Sequence, residues 1–225
     1  MKIDFSRSAG LLGDDKMARL KTASVAVVGV GGVGGWCAEA LVRTGIGQLT
    51  LVDDDMVVPS NLNRQCAALS STIGSAKVEA MKNRLLAINP ECRITACARR
   101  LTKFEDLGCG FDFIVDAIDS VDCKAELILG ATANGVKIVS SMGAALRADP
   151  TKVEVRRFDK VEGDGLAKAL RQRFKKLGRY PAPKFNCVCS RETQMQGVSR
   201  DFKPSIMPVV CAFGMALAAE VIKEL

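Results

Sequence analysis

The amino-acid sequence predicts an α/β fold: a Rossmann-like, doubly wound and mostly parallel sheet that ends in an antiparallel C-terminal extension. Three observations predict it. Short apolar runs of strand length alternate with longer stretches of helical period, the pattern of βαβ units. The first such run, Val25 to Val28, opens directly onto glycines at 29, 31, 32, 34 and 35. A turn that brings a phosphate against main-chain N–H groups at a helix N-terminus requires such residues. After Gly143 the alternation stops, and Lys152 to Asp159 reads as an antiparallel strand.

Residues 4–21 are polar and helical in part, with a turn signal at Leu11-Leu12-Gly13. Val25 to Val28 is continuously apolar, as a parallel strand buried on both faces should be. The helix that follows opens near Val33, runs to about Arg43 and closes on Gly45 as a C-terminal cap. Within it Val33, Cys37 and Leu41 recur every four residues, which assigns Cys37 to the core. A second strand, 48–53, ends in the acidic run Asp53-Asp-Asp55. The polar loop Ser60-Asn-Leu-Asn-Arg-Gln65 leads to a helix from Ser75 to Ile88, with Val78, Met81, Leu85 and Ile88 on its apolar face and Asn89-Pro90 as its stop. Residues 92–98 alternate weakly as a strand. Phe111 to Asp116 is a stronger one, with Asp119 beyond its carboxyl end. A helix over 122–133 and a strand over 136–141 complete the series.

Residues 160–204 form a basic segment in which Leu166, Leu170, Phe174 and Leu177 share a helical face, with Lys168, Arg171, Lys175 and Lys176 off it and available to an RNA. Ile206 to Val221 is apolar but interrupted by Pro208 and Gly214, and shorter than the roughly 20 residues of a bilayer span. It is expected to be a buried helix. One domain is expected over 1–225, with a nucleotide-binding core at 1–145 and the extension, basic segment and last helix at 146–225.

The chain has 225 residues, 48% hydrophobic and 25% charged, enough for a full core. Its net charge of +7 favours an anionic partner. Nine cysteines without an apolar leader fit a reducing cytoplasm. The absence of histidine excludes Ser–His and Cys–His catalysis and a His-ligated zinc.

The glycine turn alone leaves the ligand open. Gly29, Gly31 and Gly34, with Asp53 placed for a ribose hydroxyl, also satisfy the dinucleotide fingerprint of NAD enzymes. Gly32 removes one more side chain from the phosphate side. Beyond Asp55 the chain offers Asn61, Arg64, Lys77 and Asp119. Two cations and an amide exceed what a pyrophosphate on a helix terminus requires, and suit a triphosphate with an acid for its Mg²⁺. Singly, each has a plain reading: Lys77 as a solvated helix residue, Arg64 as a loop salt bridge, Asp119 as a helix N-cap.

Jointly, Gly29-x-Gly-Gly-x-Gly34, Asp53-x-Asp55, Ser60-Asn-x-x-Arg-Gln65, Lys77 and Asp119 resemble the ThiF/MoeB-type adenylating enzymes, whose fold is shared with ubiquitin-activating enzymes. The resemblance runs from about Arg7 to Gly143. It implies that ATP lies over Gly32 with its ribose on Asp53, that Asn61, Arg64 and Lys77 contact its phosphates, and that Asp119 coordinates Mg²⁺. Asp55 and Ser120 belong to the same nucleotide set. Arg7 is similar to an arginine that enters the site of the other subunit of a homodimer.

Where that family has two CxxC pairs for zinc, this chain has only Cys187-Val-Cys189, with Cys211 distant, so no such zinc is expected. The opening Arg7-Ser-Ala-Gly-Leu-Leu-Gly13, the Asp116-Ala-Ile-Asp-Ser120 motif and the ending from Pro204 to Ile222 look most like the TcdA (CsdL/YgdL) branch. That likeness implies ATP-dependent cyclisation of threonylcarbamoyladenosine in tRNA by carboxylate adenylation, without a membrane. Two rivals stay open. One is adenylation of the C-terminal glycine of a ubiquitin-like sulfur carrier. The other is a non-catalytic adaptor docking a cysteine desulfurase or sulfur acceptor through Cys187 and Cys189, against which stands a strand pair of inert thiols.

Overall fold

The computed structural model describes residues 3–198 and 202–225. Seven strands form one sheet: β1 (Ser24–Val28), β2 (Gln48–Val52), β3 (Arg93–Cys97), β4 (Phe113–Asp116), β5 (Lys137–Ser141), β6 (Val153–Arg157) and β7 (Asn186–Ser190), in the order β3-β2-β1-β4-β5-β7-β6. Every neighbouring pair is parallel except β6 with β7. The helices are α1 (Ser6–Leu12), α2 (Asp14–Thr22), α3 (Gly34–Thr44), α4 (Lys77–Ile88), α5 (Val121–Ala133), α6 (Gly165–Leu177) and α7 (Met207–Glu224).

Alternate residues of the strands feed two separate cores. Val25, Val27, Leu49 and Leu51 pack with Cys37, Leu41, Met81 and Phe213 from α3, α4 and α7 on one face. Ala26, Val28 and Ile114 pack with Leu127, Ile128, Leu170 and Phe174 from α5 and α6 on the other. The continuous apolarity of Val25 to Val28 thus reflects burial on both sides.

The extension is not an appendage. β7 inserts parallel to β5, and only β6 turns back against it. The apolar stretch at the C-terminus is α7, which begins with Pro208 in its first turn, where a missing N–H costs nothing. Gly214 does not interrupt it. A Cβ there would lie 2.7 Å from the Val33 carbonyl oxygen and 2.8 Å from the Trp36 Cβ, so the glycine permits the close crossing of α7 over α3. No helix among the described residues is long and apolar enough to cross a membrane. In α6 Leu170 and Phe174 of the expected face are buried, together with Ala167, whereas Leu166 and Leu177 are half-buried. Arg171, however, does not project freely. It lies half-buried over the Phe158 ring and donates to the carbonyls of Phe158 and Val161, at 3.0 and 2.5 Å.

β1 and β4 are neighbours, but the chain leaves them towards opposite sides of the sheet, which opens a crevice at their carboxyl ends. One buried ion pair fixes its floor. Lys124 Nζ stands 2.8 Å from Asp116 Oδ2, and both side chains are wholly buried. The same ammonium donates to the Ile118 carbonyl, while Asp116 accepts from the Ser140 hydroxyl and the Ile118 amide. The β4–α5 turn is thereby pinned under the glycine loop. Removing one partner of such a pair strands a buried charge, at a cost of about 3–5 kcal/mol. Lys124→Met should lower the free energy of urea unfolding by that order. A loss below about 1 kcal/mol would mean that the turn holds without the pair.

Candidate active site

A cavity of about 770 Å³ occupies the crevice. Gly29, Gly31, Gly32, Asp53, Asp55, Asn61, Arg64, Lys77, Asp119 and Ser120, ten of the residues singled out by sequence, line it together. Gly34 and Arg7 do not. Gly34 acts from behind: a Cβ there would come within 1.8 Å of the Gly29 carbonyl oxygen, so it lets α3 start against the loop. Gly29 has φ +90°, and a Cβ would collide with the Ala117 carbonyl. Gly32 differs. A Cβ there would only touch Val210 and Arg64 at 3.4–3.5 Å, so its absence keeps space open in front of Arg64. Arg7 is exposed on α1, outside its own chain's cavity.

Asp53 holds the loop to the sheet. Its Oδ2 accepts from the Val30 amide at 2.6 Å and its Oδ1 from the Asp55 amide at 2.9 Å. Burial raises its pKa above the ordinary carboxylate value, partly offset by those amides and by Lys77. Lys77 is not the solvated helix residue of the plain reading. It opens α4 with its side chain 8% exposed and meets Asp55 Oδ2 at 2.5 Å. Asn61 Oδ1 accepts from the Val58 amide, which leaves Nδ2 as its donor. Arg64 Nη1 donates to the Ser60 carbonyl and Asn63 Oδ1, and the Arg64 carbonyl accepts from the Trp36 indole. Asp119 is not a helix cap, since the N-cap of α5 is Ser120. Its side chain is 86% exposed, with Lys203 Nζ at 3.4 Å. The carboxylates of Asp53, Asp54 and Asp55 lie within 4.8 Å of one another. With Asp119 they are the hard oxygen donors that the cavity offers to a divalent cation.

The far wall escapes sequence reasoning. Ser141 to Leu146, at and beyond the end of β5, and Gly165, Leu166 and Gln194 also line the cavity. A second buried ion pair, Arg147 Nη2 to Asp164 Oδ2 at 3.0 Å, organises them. Arg147 also donates to the carbonyls of Gly143, Ser190 and Glu192, and Asp164 accepts from the amides of Gly143, Leu166 and Ala167. Arg99 and Arg100, past the end of β3, add cations to the rim. Gln65, which also lines the cavity, belongs to the polar-loop motif visible in the sequence.

The ThiF family model matches residues 5–225. The chain belongs to the ThiF family. Two curated relatives of this ThiF chain are tRNA threonylcarbamoyladenosine dehydratases. That of Bacillus subtilis is 41% identical over 179 residues, 77% of this chain and 70% of the relative. That of Escherichia coli is 42% identical over 174 residues, 76% of this chain and 65% of the relative. The alignments therefore span about two thirds of those proteins. The crystal structure of E. coli TcdA in complex with ATP superposes with a TM-score of 0.91 at 36% identity, covering 98% of this chain and 92% of that one. The AMP complex gives 0.92 and 37%, with the same coverage. E. coli MccB with ATP, at 20% identity and a TM-score of 0.64, shares the fold.

The paired cysteines lie apart from this chemistry. Cys187 and Cys189 are buried in β7. Burial raises both thiols, aided by nearby carboxylates, and Cys189 reaches about 11. Only thiolate attacks, so buried thiols raised in this way stay protonated and unreactive at pH 8. Iodoacetamide at pH 8 should therefore label the exposed Cys109 in the native protein and leave Cys187 and Cys189 intact. Comparable labelling of all three by peptide mass mapping would contradict the inert assignment.

Proposed function

We propose that this ThiF-family protein is an ATP-dependent tRNA threonylcarbamoyladenosine dehydratase, acting by carboxylate adenylation. The observation that carries this is the glycine-lined cavity with Lys77 and Arg64 on one wall, in a chain 41–42% identical to dehydratases of that name. A carboxylate does not expel oxide. Attack of its oxygen on the α-phosphorus of ATP forms an acyl-adenylate and releases pyrophosphate. A nitrogen or oxygen of the same threonylcarbamoyl group then closes the ring on the carbonyl, and AMP leaves with the former carboxylate oxygen. No enzyme nucleophile or histidine is needed.

The residues have roles that suit this course. Gly32 leaves room for the phosphates beside Arg64. Asp53 keeps spare lone pairs for the ribose hydroxyls after its two amide bonds. Lys77, Arg64 and Asn61 stabilise charge as it develops on the phosphates. Asp55 orients the Lys77 ammonium, and Ser120 closes the rim next to Asp119. Asp119 suits Mg²⁺, because its exposed contact with Lys203 is worth little and gives way readily. The ion, when bound, neutralises phosphate charge. Arg7 reaches the site of a second subunit. A homodimer agrees with the exposed apolar side chains Met56, Val58, Leu62, Leu69 and Ile73, and with Leu11 at 85% exposure.

Incubation of tRNA with the enzyme, ATP and Mg²⁺ should convert its threonylcarbamoyladenosine to a product lighter by one water, read by nucleoside mass spectrometry, with one AMP formed per event. AMP formation only on a ubiquitin-like carrier protein, with tRNA unchanged, would assign the site to sulfur-carrier activation instead. Lys77→Ala and Asp119→Ala should each weaken ATP binding about 10- to 100-fold by calorimetry, the range of a lost charge-assisted contact. Tight NAD binding without an ATP signal would overturn the nucleotide assignment. Mixing inactive Arg7→Ala with inactive Asp119→Ala should restore part of the activity, because a heterodimer rebuilds one intact site. No recovery in demonstrated heterodimers would rule out the shared site.

A further inference from the structure

One face of α6 has no part in the adenylation chemistry. The start of the helix lines the cavity through Gly165, Leu166 and Ala169, and the whole helix is 13 residues long, about 20 Å. The spacing i, i+4, i+7 brings Lys168, Gln172 and Lys175 into a single stripe, with Lys176 beside it and the buried Ala167, Leu170 and Phe174 opposite. Lys168, Lys175 and Lys176 are exposed and make no ion pair among the described residues. Arg179 is shared with Glu126 at 3.1 Å. α6 itself contains no acidic residue, and its capping Asp164 is buried and committed to Arg147 and the helix amides. Both arginines of the helix have structural partners. Arg171 holds the Phe158 and Val161 carbonyls, and Arg173 pairs with Asp122 at 3.0 Å.

Helix stability does not account for this pattern. Lys175 and Lys176 in the last turn suit the helix dipole, but Lys168 in the first turn opposes it. Just past the Gly178 cap, Tyr180 is 65% exposed, an aromatic face of the kind that stacks an unpaired base. A positive stripe that starts beside the cavity complements a polyanion with one residue inserted there.

We propose that the outer stripe of α6, from Lys168 to Lys175 and Lys176, holds the phosphate backbone of the tRNA next to the nucleoside in the cavity. This rests on the substrate reading given above. Phosphate contacts position the substrate without reading its sequence, and make binding salt-dependent.

The test compares wild type with the triple variant Lys168→Glu/Lys175→Glu/Lys176→Glu. A control of equal charge change, Arg19→Glu/Lys21→Glu/Arg93→Glu, alters exposed residues on α2 and β3. ATP affinity, by calorimetry, should be the same in all three, which also reports intact folding. In filter binding the α6 variant should lose at least tenfold in tRNA affinity relative to the control. Its slope of log affinity against log salt should be shallower by about two, as for three lost phosphate contacts. Equal tRNA affinity and slope in the α6 and control variants would overturn the docking surface and leave the stripe to another partner, such as an acidic protein. Failure of the wild type to bind tRNA at all would overturn the substrate reading along with it.

Discussion

The crevice depends on the Lys124–Asp116 ion pair more than on any other contact. Asp116 ends β4 and Lys124 lies in the first turns of α5, so their union sets how the chain leaves the sheet at the point where its direction of winding reverses. The Ala117 carbonyl is consequently held so close to Gly29 that only glycine fits there. Asp119 and Ser120 are in turn delivered to the rim. A pair this deep adds little net stability over apolar residues of the same shape. Its value is positional: it makes one conformation of the turn far better satisfied than any other.

The same device recurs on the opposite wall. Arg147 and Asp164 tie the loop after β5 to the start of α6 and to the end of β7 through buried and half-buried hydrogen bonds. Residues between 28 and 123 and between 141 and 210 thereby line one cavity between two pinned loops. Its lining divides into the cations Lys77 and Arg64 and small or polar residues, including Gly143, Ala145 and Gln194. An adenylating enzyme needs that division, with fixed charge where phosphate accumulates it and an accommodating surface where the acyl group must fold on itself.

Much of this is legible in the sequence because it is local. The apolar runs, the glycine turn, the Gly45 cap and the Asn89-Pro90 stop each act over a few residues, and each is found where the pattern puts it. The Gly29–Gly34 loop and Asp53 lie close in sequence to the strands that present them. The buried pairs are different. Nothing in the neighbourhood of Lys124 or Arg147 distinguishes it from a surface cation, since its partner is supplied by the fold rather than by spacing. Lys77 misleads for the same reason: the first turn of a helix favours exposure, and only the return of Asp55 beside it creates a buried site. Arg171 has the right period for an outward charge, but Phe158 and the chain before α6 close over it. The position of β7, parallel to β5 and inside β6, also follows from pairing that no local pattern encodes.

Carboxylate activation leaves a record in the products, and isotope tracing reads it directly. With ¹⁸O in the carboxylate of the threonylcarbamoyl group, one labelled oxygen should appear in the phosphate of AMP and none in pyrophosphate. AMP without label, or label in released phosphate or pyrophosphate, would contradict attack of that carboxylate on the α-phosphorus.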